Sequence, residues 1–158
     1  MNPHFDLVKG IWYPISLSIL LLIIVIFMPK KINKQEIYIS FGVTGYLVWM
    51  VNMTLAAPFD IFDIGTKSDG LPELLLYGFI PSCIAVIFLN FYDTTNKKNL
   101  LTISFIIISL LLEWFADLTG IMTSNIWKLY YSIPVFTIVF FLCLPWHLKF
   151  IRKINNSR

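Results

Sequence analysis

The sequence contains little charge: only 13% of its 158 residues are Asp, Glu, Lys or Arg, whereas 58% are hydrophobic. So few charged side chains cannot cover the surface of a water-soluble domain of this length, which excludes that class. The chain also lacks a linker, a low-complexity tract and an internal repeat. It therefore predicts a single domain over residues 1–158, and it disfavours the inverted-repeat transporters.

Cysteine and histidine are equally scarce, with two of each. Cys83 and Cys143 fall inside apolar runs without a Cys-x-x-Cys pattern, so they are predicted to behave as small apolar residues. His4 and His147 have no second soft ligand near them in the sequence. No cofactor, metal site or catalytic constellation is therefore predicted.

Long apolar runs separated by short polar segments account for most of the chain. An α-helix rises about 1.5 Å per residue and the bilayer core is about 30 Å thick, so each run is long enough to cross a membrane. The sequence predicts an all-α fold, a polytopic membrane bundle of five transmembrane helices. The predicted spans are residues 11–28, 36–57, 71–92, 100–122 and 128–150.

The first run resembles a retained helix more than a cleaved signal peptide. It is longer than a signal-peptide core and is not followed by an Ala-x-Ala site. Its positive flank, at Lys30, Lys31 and Lys34, also lies behind it rather than in front.

The basic residues predict the orientation of the bundle. Nine of the 12 Lys and Arg residues fall in the first loop, the third loop and the C-terminal segment, and three (Lys9, Lys67 and Lys128) fall on the opposite side. The positive-inside rule then places the N-terminus outside and the C-terminus in the cytoplasm. A basic inner belt attracts the anionic headgroups of the lipid bilayer. The lipid bilayer is therefore an expected partner, whereas a nucleic acid is not.

The strongest chemical signal is a pair of acidic residues in the fourth apolar run. Glu113 and Asp117 each cost up to roughly 3 kcal/mol at the middle of a membrane, so we expect them to face protein or water. At about 100° per residue, they share one helical face with small and polar residues. That face also contains Thr102, Ser109, Ala116 and Gly120, and the opposite, apolar face contains Ile103, Ile107, Leu111 and Leu118.

This face has a predicted partner in the second run, in which small and polar residues also share one side. The residues of that side are Gly42, Gly45, Trp49, Asn52 and Ala56.

Two interpretations of the acidic pair follow. In the first, the acids only hold helices together, through hydrogen bonds to Asn52, Lys128 or the hydroxyl of Tyr130 or Tyr131. In the second, these residues form an acidic pocket that opens to the outside and binds a proton, a cation or a basic or polar ligand. Because burial disfavours a charged carboxylate, the deeper Glu113 is then expected to be protonated at neutral pH while Asp117 is ionised.

Short motifs add a resemblance. They are residues 88–92 (Phe-Leu-Asn-Phe-Tyr), the pair Glu113 and Trp114, and, at the start of the fifth run, Trp127, Lys128, Tyr130, Tyr131 and Ser132. With these motifs the chain resembles an uncharacterised family of small five-span integral membrane proteins. The family comes from low-GC Gram-positive bacteria. Its members often have a histidine and a glycine before the tryptophan, where this chain has Ser124, Asn125 and Ile126. The resemblance implies a bacterial plasma-membrane location and no particular activity.

Three hypotheses about function remain. The first is a non-enzymatic accessory or assembly subunit, whose polar face packs within the protein, against a second copy or against another membrane protein. The second is a small transporter or ligand-binding protein that uses Glu113 and Asp117. The third is a lipid-modifying intramembrane enzyme with Glu113 as general acid or base.

Overall fold

Helices dominate the computed structural model, which describes residues 10–59, 62–64, 71–124 and 127–156. Within those residues two three-residue strands, β1 (Phe62–Ile64) and β2 (Met122–Ser124), pair antiparallel. The helices are α1 (Trp12–Phe27), α2 (Lys34–Phe59), α3 (Leu71–Tyr92), α4 (Lys98–Leu118) and α5, which runs through Leu129–Ile138, Val139–Cys143 and Leu144–Asn156.

Three of these helical segments are long and apolar enough to cross a membrane: Leu71–Tyr92, Lys98–Leu118 and Leu129–Ile154. The helix α1 is also apolar but has only 16 residues. The prediction of a helical protein with membrane-spanning helices is confirmed at this level.

The ends of the helices differ in places from the predicted spans. The fourth helix stops at Leu118 rather than at residue 122, because Gly120 adopts a positive φ of 72° and the chain then enters β2. The hydrophobicity of Ile121 and Met122 therefore reflects burial beside α1 rather than a longer helix. The fifth helix, in contrast, continues beyond the predicted end at residue 150 as far as Asn156.

The core of the bundle surrounds α3, against which α1, α2, α4 and α5 all pack. More than half of the apolar window of α3, 56%, is buried, compared with 22% for α4 and for α5. The fully buried Phe88 is central, since its ring centroid lies 5.3 Å from that of Phe105 on α4 and 5.0 Å from that of Phe140 on α5. Edge-to-face aromatic packing of this kind joins three helices at one point.

The predicted faces of α4 are confirmed in part, since Asp117, expected on the inner face, is exposed and Gly120 lies beyond the end of the helix. Thr102, Ser109 and Ala116 are buried on the side that faces the bundle. The residues expected on the apolar side are all exposed, as lipid-facing residues should be: Ile103, Ile107, Leu111 and Leu118.

Two helices contain a wider, π-helical stretch, Leu74–Phe79 in α3 and Val139–Cys143 in α5. Each stretch ends just before a proline, Pro81 or Pro145. Because proline has no N–H to continue the ladder of hydrogen bonds, the helix turns more widely there and the N–H of Ile80 bonds instead to the carbonyl oxygen of Leu75.

The contact between α2 and α3 depends on the absence of a side chain at Gly45. A Cβ atom at this position would collide with Oγ of Ser82 and would lie 3.2 Å from the carbonyl oxygen of Gly78. Oγ of Ser82 lies 2.9 Å from the carbonyl oxygen of Phe41 on α2 and 2.7 Å from that of Gly78 on α3. The hydroxyl group therefore shares its hydrogen between an acceptor on each helix. Gly45, predicted to face the fourth span, therefore packs against α3.

Gly42 lies one turn from Gly45 but is not part of that contact. It lines an open groove between α2 and α3 of about 360 Å³, and a Cβ atom at this position would meet nothing within 4 Å.

We expect Gly45→Ala to lower the melting temperature of the purified protein in detergent, because the added methyl group must push Ser82 away from Phe41. The matched variant Gly42→Ala should leave it unchanged or raise it slightly, since alanine is the better helix former by roughly 1 kcal/mol in peptides. Circular dichroism on heating measures both. Equal melting temperatures for the two variants would contradict this account of the α2–α3 contact.

Candidate functional site

The carboxylate of Glu113 connects α4 to the start of α5. Oγ of Ser132 donates a hydrogen bond of 2.6 Å to Oε1 of Glu113. The indole Nε1 of Trp127 lies 2.9 Å from Oγ of Ser132 and 3.3 Å from the same carboxylate oxygen. One oxygen of Glu113 is thus the acceptor at the centre of a three-residue polar cluster.

The second oxygen of Glu113 has different surroundings. Oε2 is buried and accepts no hydrogen bond from any residue that the structure describes. The buried Tyr77, in the π-helical stretch of α3, lies within electrostatic range of both Glu113 and Glu73. The structure therefore places two carboxyl groups and one phenol in the same part of the bundle, where the sequence suggested only Glu113 and Asp117.

The other predicted site residues lie apart from this cluster. Asp117 is exposed one turn further along α4. Nδ2 of Asn52 donates a hydrogen bond of 2.8 Å to the carbonyl oxygen of Val48 in its own helix. Lys128, Tyr130 and Tyr131 are exposed, and the rings of the two tyrosines lie against each other with centroids 4.3 Å apart. Asn52, Lys128, Tyr130 and Tyr131 were expected to donate hydrogen bonds to Glu113. The donors are instead Ser132 and Trp127.

A second polar cluster, which sequence reasoning did not predict, lies at the opposite end of α4. Nε of Arg152 donates a 2.7 Å hydrogen bond to Oε1 of Glu36, and its two terminal nitrogens lie 2.6 and 3.0 Å from the carboxylate oxygens of Asp93. Glu36 is only 3% exposed. A single guanidinium group thus connects the start of α2, the residue after α3 and the last turns of α5.

Part of this cluster has a local sequence signature. Oδ1 of Asn33 accepts a 2.8 Å hydrogen bond from the N–H of Glu36, and Oε2 of Glu36 accepts one of 2.8 Å from the N–H of Asn33. This reciprocal pair is a capping box at the start of α2, which an Asn-x-x-Glu pattern indicates. The signal identifies Glu36 as a cap but not its pairing with Arg152, which is distant in the sequence.

Asn90 holds the loop between α1 and α2 at the same end of the bundle. Its amide group is fully buried. Oδ1 accepts a 2.7 Å hydrogen bond from the N–H of Lys31 and a 3.4 Å one from the N–H of Ile32, while Nδ2 donates one of 3.0 Å to the carbonyl oxygen of Pro29. One side chain of α3 therefore satisfies three backbone groups of this loop.

The helices α1, α3 and α5 end here and α2 and α4 begin here, as the contacts of Arg152 and Asn90 demonstrate. We call this part of the bundle the basic end; it comprises residues 29–36, 90–98 and 146–154.

The basic end also pairs a histidine with a serine. Nε2 of His147 lies 3.2 Å from Oγ of Ser40. Because Ser40 is completely buried, its hydroxyl cannot reach a substrate, so the pair packs α5 against α2 and does not form a nucleophilic dyad.

The described residues also contain no group of three or more His, Cys, Asp or Glu side chains arranged to hold a metal ion. The geometry of both clusters is that of interhelical hydrogen bonding.

Comparison of the chain with protein-family models, with curated proteins and with solved structures returns no match. The fold and its exposed apolar helices define the class as a helical transmembrane protein.

We expect Asn90→Ala to destabilise the protein, because it removes the partners of three backbone groups. A buried polar group without a partner costs about 1–3 kcal/mol. The control is Asn99→Ala, since Asn99 is exposed near the start of α4. Thermal unfolding in detergent should give a clearly lower melting temperature for the first variant alone, and similar losses for both would contradict the role of Asn90.

The pairing of Asp93 with Arg152 predicts a dependence on pH. Hydrogen bonds from Arg152, followed by its charge and that of Lys98, lower the pKa of the Asp93 carboxyl below its ordinary value, although partial burial opposes them. A group whose pKa is lower in the folded state stabilises the fold above its ordinary pKa, near 3.9, and loses that effect as the pH falls through the folded value.

We therefore expect wild type to melt at a higher temperature than Asp93→Asn at pH 6, and the difference to shrink as the pH is lowered below about 4. Melting curves from pH 2 to pH 7 measure this difference. A difference that is constant over the whole range would indicate that the carboxylate charge at residue 93 contributes nothing.

Proposed function

We propose that the chain crosses the bacterial plasma membrane five times, with the N-terminus outside and the C-terminus in the cytoplasm. Residues 10–29 and 37–59, which contain α1 and most of α2, include no Asp, Glu, Lys or Arg. At about 1.5 Å per residue, the 16-residue α1 is about 24 Å long, and its non-helical flanks carry no charge either, while the second segment is about 35 Å long, against a bilayer core of about 30 Å. Both helices are therefore suitable spans.

The alternation of the helices supports the same topology. The basic end collects the ends of α1, α3 and α5 and the starts of α2 and α4, as expected if consecutive helices cross in opposite directions. Eight of the 12 Lys and Arg residues belong to it. The positive-inside rule assigns such an end to the cytoplasm.

Within the membrane, we propose a non-enzymatic role as an accessory or assembly subunit. The observation that supports it is the set of hydrogen bonds at Glu113, the acidic residue that the sequence marked as a candidate site. Ser132 and Trp127 both contact its Oε1, so this acid serves to join α4 to α5. The subunit is proposed to work through contacts with a second copy or with another membrane protein.

One observation favours a second candidate function, a small transporter or a protein that binds a cation, proton or polar ligand. Oε2 of Glu113 is buried and accepts no hydrogen bond from the described residues. A ligand or a proton at this oxygen would complete the coordination of the carboxyl group. The lipid-modifying enzyme has no such observation in its favour.

Two substitutions of Glu113 distinguish these roles. Glu113→Gln keeps a carbonyl oxygen that can accept hydrogen bonds from Ser132 and Trp127, whereas Glu113→Leu removes it. For an accessory subunit we expect the glutamine variant to behave like wild type and the leucine variant to melt at a lower temperature. Thermal unfolding in detergent, over a range of pH and with added monovalent and divalent cations and small amines, measures both.

A binding protein would give another result. Wild type would then be stabilised by one of those cations or amines, or would change in stability with pH beyond the change due to Asp93, while Glu113→Gln would fold but lose this response. That outcome would replace the accessory role with the second candidate.

The assembly itself is tested by purification from the native membrane in a mild detergent, with the mass measured by light scattering. An accessory subunit should elute with a second copy or with one other protein in a fixed ratio. A monomer under conditions that preserve known membrane complexes would overturn this role.

A further inference from the structure

The basic end contains seven lysine residues. All of them are exposed, and none forms an ion pair within the described residues. They are Lys30, Lys31, Lys34, Lys97, Lys98, Lys149 and Lys153.

The carboxylates at this end do not neutralise them. Glu36 and Asp93 are the two acidic residues there, and both bind Arg152. Arg152 donates to these two side chains with three of its nitrogens, so it is engaged within the protein. Eight cationic side chains against two carboxylates leave a net charge of +6 at the basic end.

The last turns of α5 add an apolar component to this charge. Trp146, Phe150 and Ile154 are exposed at four-residue spacing, while Leu148 and Ile151 on the other side of the helix are buried. The rings of Trp146 and Phe150 stack with centroids 5.4 Å apart and an angle of 19° between their planes. Lys149 and Lys153 are exposed next to these rings.

Exposed aromatic rings and lysines on one helix face are typical of the membrane–water interface. The rings occupy the headgroup level, and the lysine stems lie along apolar surface while their ammonium groups reach outward. A cationic surface of this kind attracts anionic lipids, and the attraction falls off within a Debye length in salt.

From this geometry we infer that the basic end binds the headgroups of anionic phospholipids, with Lys149 and Lys153 at the lipid phosphates and the stacked Trp146 and Phe150 at the boundary with the acyl chains. This inference rests on the proposed insertion of the chain in a membrane. It assigns the lipid contacts to lysine residues and excludes Arg152, which pairs with Glu36 and Asp93. The ligand class is a lipid and not free phosphate, because the aromatic face requires an apolar partner.

The test measures which lipids the protein retains. The detergent-solubilised protein is mixed with equal amounts of phosphatidylglycerol and phosphatidylcholine, and native mass spectrometry counts the bound molecules of each. We expect at least a fivefold preference for phosphatidylglycerol, and a smaller preference in 0.5 M salt. Equal retention of the two lipids would overturn the inference.

Matched variants locate the binding. Lys149→Gln combined with Lys153→Gln should reduce the preference severalfold. Lys9→Gln combined with Lys128→Gln removes the same charge from residues that the proposed topology assigns to the opposite side, and should not reduce it. Equal losses in the two double variants would indicate a response to net charge alone and would contradict the assignment. A shift in melting temperature with inorganic phosphate as large as that with phosphatidylglycerol would also overturn it.

Failure of this inference is distinguishable from failure of the proposed function. Carbonate extraction of the native membranes reports whether the protein is integral. A protein that is extracted by carbonate contradicts the membrane-spanning proposal, whereas one that resists extraction but retains both lipids equally contradicts only the lipid inference.

Discussion

The fold depends on the ionic contact of Arg152 with Glu36 and Asp93. A buried carboxylate is costly unless a cation and hydrogen bonds compensate it, and Glu36 receives both, from Arg152 and from the backbone of Asn33. Because these partners belong to different parts of the chain, the same contact joins α2, α3 and α5 at the basic end. The hydrogen bonds of Asn90 then add the α1–α2 loop to this arrangement.

The two ends of the bundle differ in chemistry. The basic end uses an ionic contact within the protein and leaves its lysines outward. At the other end, Glu113 accepts hydrogen bonds from neutral donors, Ser132 and Trp127, and β1 pairs with β2. Between them, α3 provides the apolar core around Phe88. The bundle therefore has one end that is joined by an ionic contact and one end that is joined by hydrogen bonds from neutral donors.

Much of the fold could be predicted from the sequence because hydrophobic run length and helical periodicity are local signals. These signals predicted the helices and the two faces of α4, with Thr102 inside and Ile107 outside. The importance of Glu113 was also predictable, since an acid in an apolar run must find a partner. Its partners were not, because the choice of Ser132 over Tyr130 or Tyr131 depends on the rotation of α5, which no local pattern specifies. The pairing of Arg152 with Glu36 is non-local for the same reason.

The position of Arg152 along the chain has a consequence for biosynthesis. The helices α2 and α3 are made before α5, so Glu36 and Asp93 enter the membrane environment while their cation has not yet been synthesised. Until then, Glu36 is held only by the cap that it forms with Asn33. The ionic contact that joins α2, α3 and α5 can therefore form only after α5 has been made, whereas the α2–α3 contact at Gly45 and Ser82 needs no residue of α5.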